Sequence, residues 1–471
     1  MTLLFVSLGA GVSAQTIGTN FTGVTFSLEN SHGEFVAPPD TMGAVGPNHV
    51  VEMVNGAFMV YNKAGVQVSP FQSDIQFWNA AGISTAITNA NISDPHIVYD
   101  PGSGRWFASQ INVSSTGNQM LIARSNSSDP TAGFKAVSFT GNVGFADYPA
   151  ISVDADAVYV STNNFASDVG MFTGVSLFSM PKADLLLSTP SVANKTGFEN
   201  LNVNTYGFTL QAALNRGGSI GHGSVVSIDG VSNAVLDRFN VNNPGGAGAT
   251  LSGVTYVNVL PTPDPPQAGQ PDGSFQIDSL DSRISGQVIS QGGKLFLIHS
   301  LTVGGRSGLR WTVLNEGTNA VVSEGTISNP NFDYFQGSID INSNNDVVIG
   351  FNRSSTSAGD FAGAFARVGK FNGTSIVFGT DITLQPGLDN YHLISGFGER
   401  WGDFSAVRLD PSDPTSFWAF QEFAGTNNNW STQITQIKID SQQGVPEPGA
   451  VTLLGAGLMA GVLFARKQRK Q

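Results

Sequence analysis

From Asp40 to about residue 440 the chain runs in short apolar stretches separated by clusters of Gly, Asn, Ser and Asp. Stretches of this length between turn formers predict β-strands. With 56 Gly and only 12% charged residues, little material is left for long helices. One phrase recurs: an Asp, a few small or apolar residues, a turn, then an apolar strand. It begins at Asp40 (DTMGAVGPNHVVEMVNGAFMVYNKAG), Asp94, Asp147, Asp333 and Asp403, the first three copies starting 54 and 53 residues apart. A second Asp follows seven positions later at Asp154, Asp340 and Asp410, and six later at Asp100.

Two further copies, from Phe208 and Asp281, keep the grammar of short strand, Gly-rich turn and apolar strand with the leading Asp lost or moved. The count is seven units, or six if the Phe208 copy is misread. Units of about 40–55 residues with roughly four strands each are the blades of a β-propeller, so the expected fold is all-β, with blades over 40–440. AVYVST and DVVIGF barely alternate, as strands covered on both faces should. Residues 15–39 precede the first blade or donate a closing strand. The Pro-rich stretch 261–273 reads as a long surface loop.

The two ends carry different signals. MTLLFVSLGAGVSAQT ends its apolar stretch in Val12-Ser13-Ala14, which predicts a signal peptide over 1–14 cleaved between Ala14 and Gln15. No Lys or Arg precedes that stretch, so either the true start lies upstream or the segment is a hydrophobic terminus. At the other end Val445, Pro446, Glu447 and Pro448 precede an apolar span over 450–465, followed by Arg466, Lys467, Arg469 and Lys470. Such a span is expected to insert as a transmembrane helix with its basic end in the cytoplasm. The two prolines keep the approach to it extended.

That order of parts, over 445–471, resembles the PEP-CTERM sorting signal of Gram-negative bacteria. The resemblance implies export by the general machinery and recognition of Pro-Glu-Pro by a membrane-embedded exosortase. It also implies transient inner-membrane anchoring, then delivery to the cell surface, outer membrane or extracellular matrix. The phrases APPDTMGAVGPNHVVEMVN, DPHIVYDPGSGRWFA, DYPAISVDADAVYVSTNNF and WGDFSAVRLDPSD resemble those of bacterial sialidase-like propeller proteins, over most of 38–440. This likeness implies the fold and brings no activity with it.

Charge and composition narrow the chemistry. The formal net charge is −13, and setting aside the four terminal bases leaves 18 bases against 35 acids. Nucleic acid needs a basic footprint, which is missing. There is no Cys, which excludes disulfides, thiolate catalysis and Cys-based zinc sites. The six His show no paired spacing for zinc. GGSIG at 217–221 matches a nucleophile elbow around Ser219, but no helix pattern follows it.

Propeller geometry places Asp40, Asp94, Asp147, Asp333 and Asp403 around one mouth of the channel. Carboxylates grouped there suit Ca²⁺ or a polyol. The plainer alternative is that each Asp caps its turn by accepting backbone N–H groups. For glycan processing the candidates are Glu399, Arg400 and Asp403 in GERWGD, with Glu422, Arg105, Arg283, Arg353, Tyr148 or Tyr334, and with Trp401 stacking on a sugar. The plainer alternative there is a salt bridge beside a core Trp. The expectation is an exported binding or structural propeller of the cell surface or matrix, serving exopolysaccharide or other glycans in a biofilm. Ca²⁺ is its only candidate cofactor. The competing reading is a secreted sialidase-like glycan-processing enzyme.

Overall fold

The computed structural model describes residues 14–393 and 399–440. The stretch read as a signal peptide, apart from Ala14, and the whole sorting signal lie outside the described residues. Seven sheets, antiparallel except for one short parallel pair in the fifth, follow one another in chain order, with inner strands of successive sheets in contact around a common axis. The fold is a seven-bladed β-propeller. Its inner strands are Met42–Val45, Asn91–Asp100, Phe145–Val153, Phe208–Ala212, Leu214–Asn215 with Ile289–Gln291, Asp333–Ile341 and Ala406–Leu409. Among the described residues no helix is long and apolar enough to cross a membrane.

Burial explains the weak alternation. Val158, Tyr159 and Val160 are all fully buried, as are Val347, Val348 and Ile349, because both faces of these strands meet neighbouring blades. In the second, third, sixth and seventh blades the turn that ends the inner strand is set by a short polar side chain. Asp154 accepts from the Asp156 and Ala157 N–H groups at 2.8 Å, and Asp410 from the Ser412 N–H at 2.9 Å. In the sixth blade that turn belongs to Asn342, which accepts from the Asp346 N–H at 2.8 Å. Asp340 instead bridges to another blade, so the seven-residue spacing there marks a different job.

Two expectations change. The fifth blade, read as a regular strand from Asp281, has only Ile289–Gln291 from its own segment beside its second strand. Leu214–Asn215 completes its inner edge in parallel. The Pro-rich stretch is also no plain surface loop. Ala268 and Gln270 are buried, and the Gln270 amide takes both backbone groups of Tyr391: Oε1 accepts its N–H at 2.7 Å and Nε2 donates to its carbonyl at 3.1 Å. A Pro-rich chain lacks N–H donors, so one amide side chain that satisfies a neighbour fixes it against the core.

The ring closes on its first strand. Gln15–Thr25 pairs antiparallel with the last strand, Trp430–Ile439, from Gln15 opposite Ile439 to Thr25 opposite Ser431, with register shifts between Ile17 and Asn20 and between Thr22 and Thr25. Glu52, fully buried in the first blade, seals the seam. It accepts from the Val24 N–H at 2.9 Å, the Tyr61 hydroxyl at 3.2 Å and the Thr432 hydroxyl. Burial raises its pKa from 4.5 to about 7 despite those three donors. A raised folded-state pKa stabilises the fold fully below about pH 4.5, and that contribution is lost as pH rises through about 7.

Gln at this position keeps all three partners and carries no charge to bury. Glu52→Gln should therefore melt roughly 2–4 °C above the native chain at pH 8 and equal it near pH 4. Differential scanning fluorimetry across that range checks this; a variant that melts lower at pH 8 would show that the charge itself holds the seam.

Candidate functional site

Local backbone geometry builds one mouth of the propeller. In six blades a non-glycine residue at the head of the inner strand has positive φ: Asp40 (48°), Asp94 (61°), Tyr148 (57°), Thr209 (54°), Leu280 (59°) and Gln336 (50°). Left-handed backbone costs an L-residue about 1–2 kcal/mol, so six in equivalent places need fixed support. Most break the ladder register beside them, as between Ser93 and His96, Phe208 and Gln211, and Phe335 and Ser338. The kink frees backbone groups that the adjacent blade then satisfies. Ser109 donates to the Pro149 carbonyl at 3.3 Å, Ser161 to the Leu210 carbonyl and Ser405 to the Gln336 carbonyl at 2.8 Å.

Carboxylates do the same work at the first, second, third and seventh blades. Asp40 accepts from the Asp403 N–H at 2.7 Å, and Asp94 from the Tyr148 N–H at 3.0 Å. Asn55 joins the two. Its Nδ2 donates to Asp40 at 2.7 Å and to the Pro38 carbonyl at 3.0 Å, while its Oδ1 accepts from the Asp94 N–H at 2.8 Å. Asp40, Asp94 and Asn55 are all buried. The carboxyls of Asp94 and Asp147 lie within hydrogen-bonding reach of each other. Burial, then the nearby Asp403 charge, raises the pKa of Asp40 and of Asp94; burial, then Asp94 and Asp403, raises that of Asp147. This crowding favours protons shared among the acids over a full set of charges.

Two arginines balance the rim. Arg400 bonds Asp403 at 2.8 Å and Asp278 at 3.1 Å, with 41% of its side chain exposed. Arg283 grips Asp281 through two bonds of 2.8 Å and lies over the rings of Tyr148 and Phe208 at 4.8 and 5.1 Å. Tyr148 also reaches the Asp403 carbonyl at 3.4 Å.

Four of the five leading aspartates thus meet at one mouth, and the fifth does not. Asp333 sits three positions ahead of the kinked Gln336. There it binds Arg306 at 2.9 Å and the N–H groups of Ser307 and Gly269 at 3.1 Å, away from the axis. The Ca²⁺ expectation meets an arrangement committed elsewhere: Asp40 and Asp94 hold backbone groups. Among the described residues no cluster of three or more His, Asp or Glu is arranged to hold a metal.

The glycan-processing set also divides. Arg400 and Asp403 share the rim. Glu422 is buried beneath it, accepting from the Gly402 N–H at 3.2 Å, and Glu399 faces His392 at 3.4 Å in a separate cavity of about 250 Å³. Trp401 is 1% exposed and bonds Asn352 at 3.2 Å, so it is a core residue with no face for a sugar. Arg353 and Tyr334 meet at Asp381, at 2.7 and 3.0 Å, and Arg105 binds the Gly104 carbonyl at 3.0 Å in the second blade. Sequence reasoning missed Asn55, Asp278 and Asp281. Asp281 heads a recognised unit, but Asn55 stands in an ordinary turn.

Removing Asn55 strands a buried carboxylate oxygen and the Asp94 N–H together. Asn55→Ala should cost about 2–4 kcal/mol, read as a lowered Tm with unchanged far-ultraviolet circular dichroism in the cold. An unchanged Tm would mean that the mouth holds its shape without the staple.

Comparison with solved structures finds similar chains at low identity. Penicillium chrysogenum alpha-L-arabinanase complexed with arabinobiose is 8% identical, over 90% of this chain and 99% of that one, with a TM-score of 0.42. A protein of unknown function from Dyadobacter fermentans DSM 18053 is 10% identical, over 74% and 94%, at 0.38. Trypanosoma rangeli sialidase is 9% identical, over 74% and 53%, at 0.35. Likenesses this distant carry no argument about chemistry. No curated protein matches the chain by sequence. Residues 444–470 match the PEP-CTERM protein-sorting motif. The chain is a seven-bladed β-propeller followed by a PEP-CTERM sorting signal, which implies export, a transient membrane anchor and processing by an exosortase.

Proposed function

We propose that the released propeller is a binding component of the outer surface or extracellular matrix, and that its acidic mouth receives a polyhydroxylated ligand such as an exopolysaccharide. The observation that carries this reading is the division of labour among the mouth's charged groups. Asp40 and Asp94 are buried and hold neighbouring blades. Asp147, Asp403 and Arg400 stay partly open on the rim beside them. Carboxylates and a guanidinium fixed side by side offer acceptors and donors in a set spacing, which is what rows of sugar hydroxyls require. The Arg400 fork is held by Asp278 and Asp403, so little side-chain entropy is left to lose when a ligand arrives.

A glycosidase needs an acid and a base facing one bond. Glu422 lies under the rim and Glu399 faces another cavity, so the carboxyls expected for that task do not face one place.

Isothermal titration of the protein with exopolysaccharide from a host bearing the sorting machinery tests the reading. Binding should weaken about tenfold or more in an Arg400→Ala, Asp403→Asn double variant, with no reducing sugar released. Sugar release lost in that variant would make the mouth catalytic instead. Binding untouched by the double variant would move the ligand elsewhere on the surface.

The sorting step has its own test. Mass spectrometry of the mature protein from a host with an intact exosortase should show the tail removed. Replacing Pro446, Glu447 and Pro448 by Ala should leave it attached; tails retained in both would indicate an ordinary anchor.

A further inference from the structure

The opposite mouth of the channel holds a different constellation. Inner strands run from the acidic mouth toward turns such as those at Asp100, Asp154 and Asp410. Near that far end Arg408, Arg216, Val45, Val98, Leu214 and Leu409 line a small cavity. Arg408 is 4% exposed. Its Nη1 donates to the Val407 carbonyl at 3.2 Å, whereas Nε and Nη2 have no acceptor among the described residues.

The carboxylates nearby are already saturated. Asp340 takes Arg216 through both oxygens, at 2.6 and 2.8 Å, and the N–H groups of Ile341 and Leu409 at 2.7 Å each. Those four bonds use all the acceptor sites a carboxylate has. Asp410 is paired with Lys63 at 2.7 Å and Asp100 with Lys182 at 2.9 Å. Arg216, Arg408 and Asp340 together leave one positive charge without a counter-charge. His96, 4% exposed and packed on Phe404 at 4.2 Å, adds two ring nitrogens without partners. Burial first, and the Arg408 charge second, hold its pKa down to about 3, so the imidazole is neutral and supplies no compensation.

A buried charge without a partner is among the costliest features a fold can carry, and an arginine does not discard its proton to escape it. A water would satisfy N–H groups but not the charge. We infer that the channel binds one small monovalent anion of halide size, held by Nε and Nη2 of Arg408 beside Arg216.

Melting the full-length chain in sodium chloride and in sodium gluconate at equal ionic strength tests this, because gluconate is too large for the cavity. Chloride should raise Tm saturably, by roughly 3 °C at a hundredfold excess over its Kd. Arg408→Gln, which removes the charge and keeps donors, should abolish the difference. Equal melting in both salts, or a chloride effect that the variant keeps, overturns the site. If the variant does not fold, anomalous scattering from crystals of the native chain grown in bromide decides. A peak within hydrogen-bonding reach of Arg408 Nε and Nη2 supports the site, and a bromide-free channel refutes it.

Discussion

Circular closure is the constraint on which this molecule depends. A blade is apolar on both faces and can bury them only against two neighbours, so seven blades are stable as a ring and leave two exposed apolar faces as an open arc. Without Cys no covalent link joins first blade to last. The seam is made instead by backbone pairing of Gln15–Thr25 with Trp430–Ile439 and by one buried acid, Glu52, that takes donors from both sides. A buried carboxyl is a poor source of net stability, but it is selective: three donors converge on it only when strand and blade sit in one register.

The same economy shapes the channel. At one mouth, strained kinks expose backbone N–H and C=O groups, and acids, amides and serines from the next blade answer them. Carboxylates thereby concentrate where the blades converge, and the chain's negative balance is focused there. At the other end, on the channel axis, two arginines, Arg216 and Arg408, face one carboxylate, Asp340. The two mouths differ in their charged groups although their strands come from one repeated phrase.

The repeated Asp made the blades legible because a short acceptor recurs where several inner strands enter a kink or a closing turn. The phrase could not tell these two places apart. Asp94 sits on a kink, Asp147 one residue before one, and Asp333 three residues before one, which is why it points to Arg306. Spacing along a strand fixes neither a register break nor the partner blade. Asn55 carried no signal for the same reason: its bonds to Asp40 and Asp94 span 15 and 39 residues and exist only once two blades have met. Arg408 is one base in VRLD with no motif to mark it; only the saturation of Asp340 by Arg216, 124 residues away, makes it exceptional. The Pro-rich stretch was misread because composition describes the backbone's stiffness and says nothing of the one Gln that anchors it.

The seam also has a meaning for delivery. Its first residue, Gln15, is paired with Ile439, and the Asp440 N–H reaches the Ala14 carbonyl at 2.8 Å. The sorting motif begins only a few residues later, at 444. The last strand needed to complete the ring therefore lies immediately before the tail, so a chain that lacks the tail still carries every strand of the ring. Among the described residues the ring is complete at Asp440, before the motif begins. The two ends of the described chain, Ala14 and Asp440, meet at a single blade, and cargo attached at either terminus would ride on that same blade.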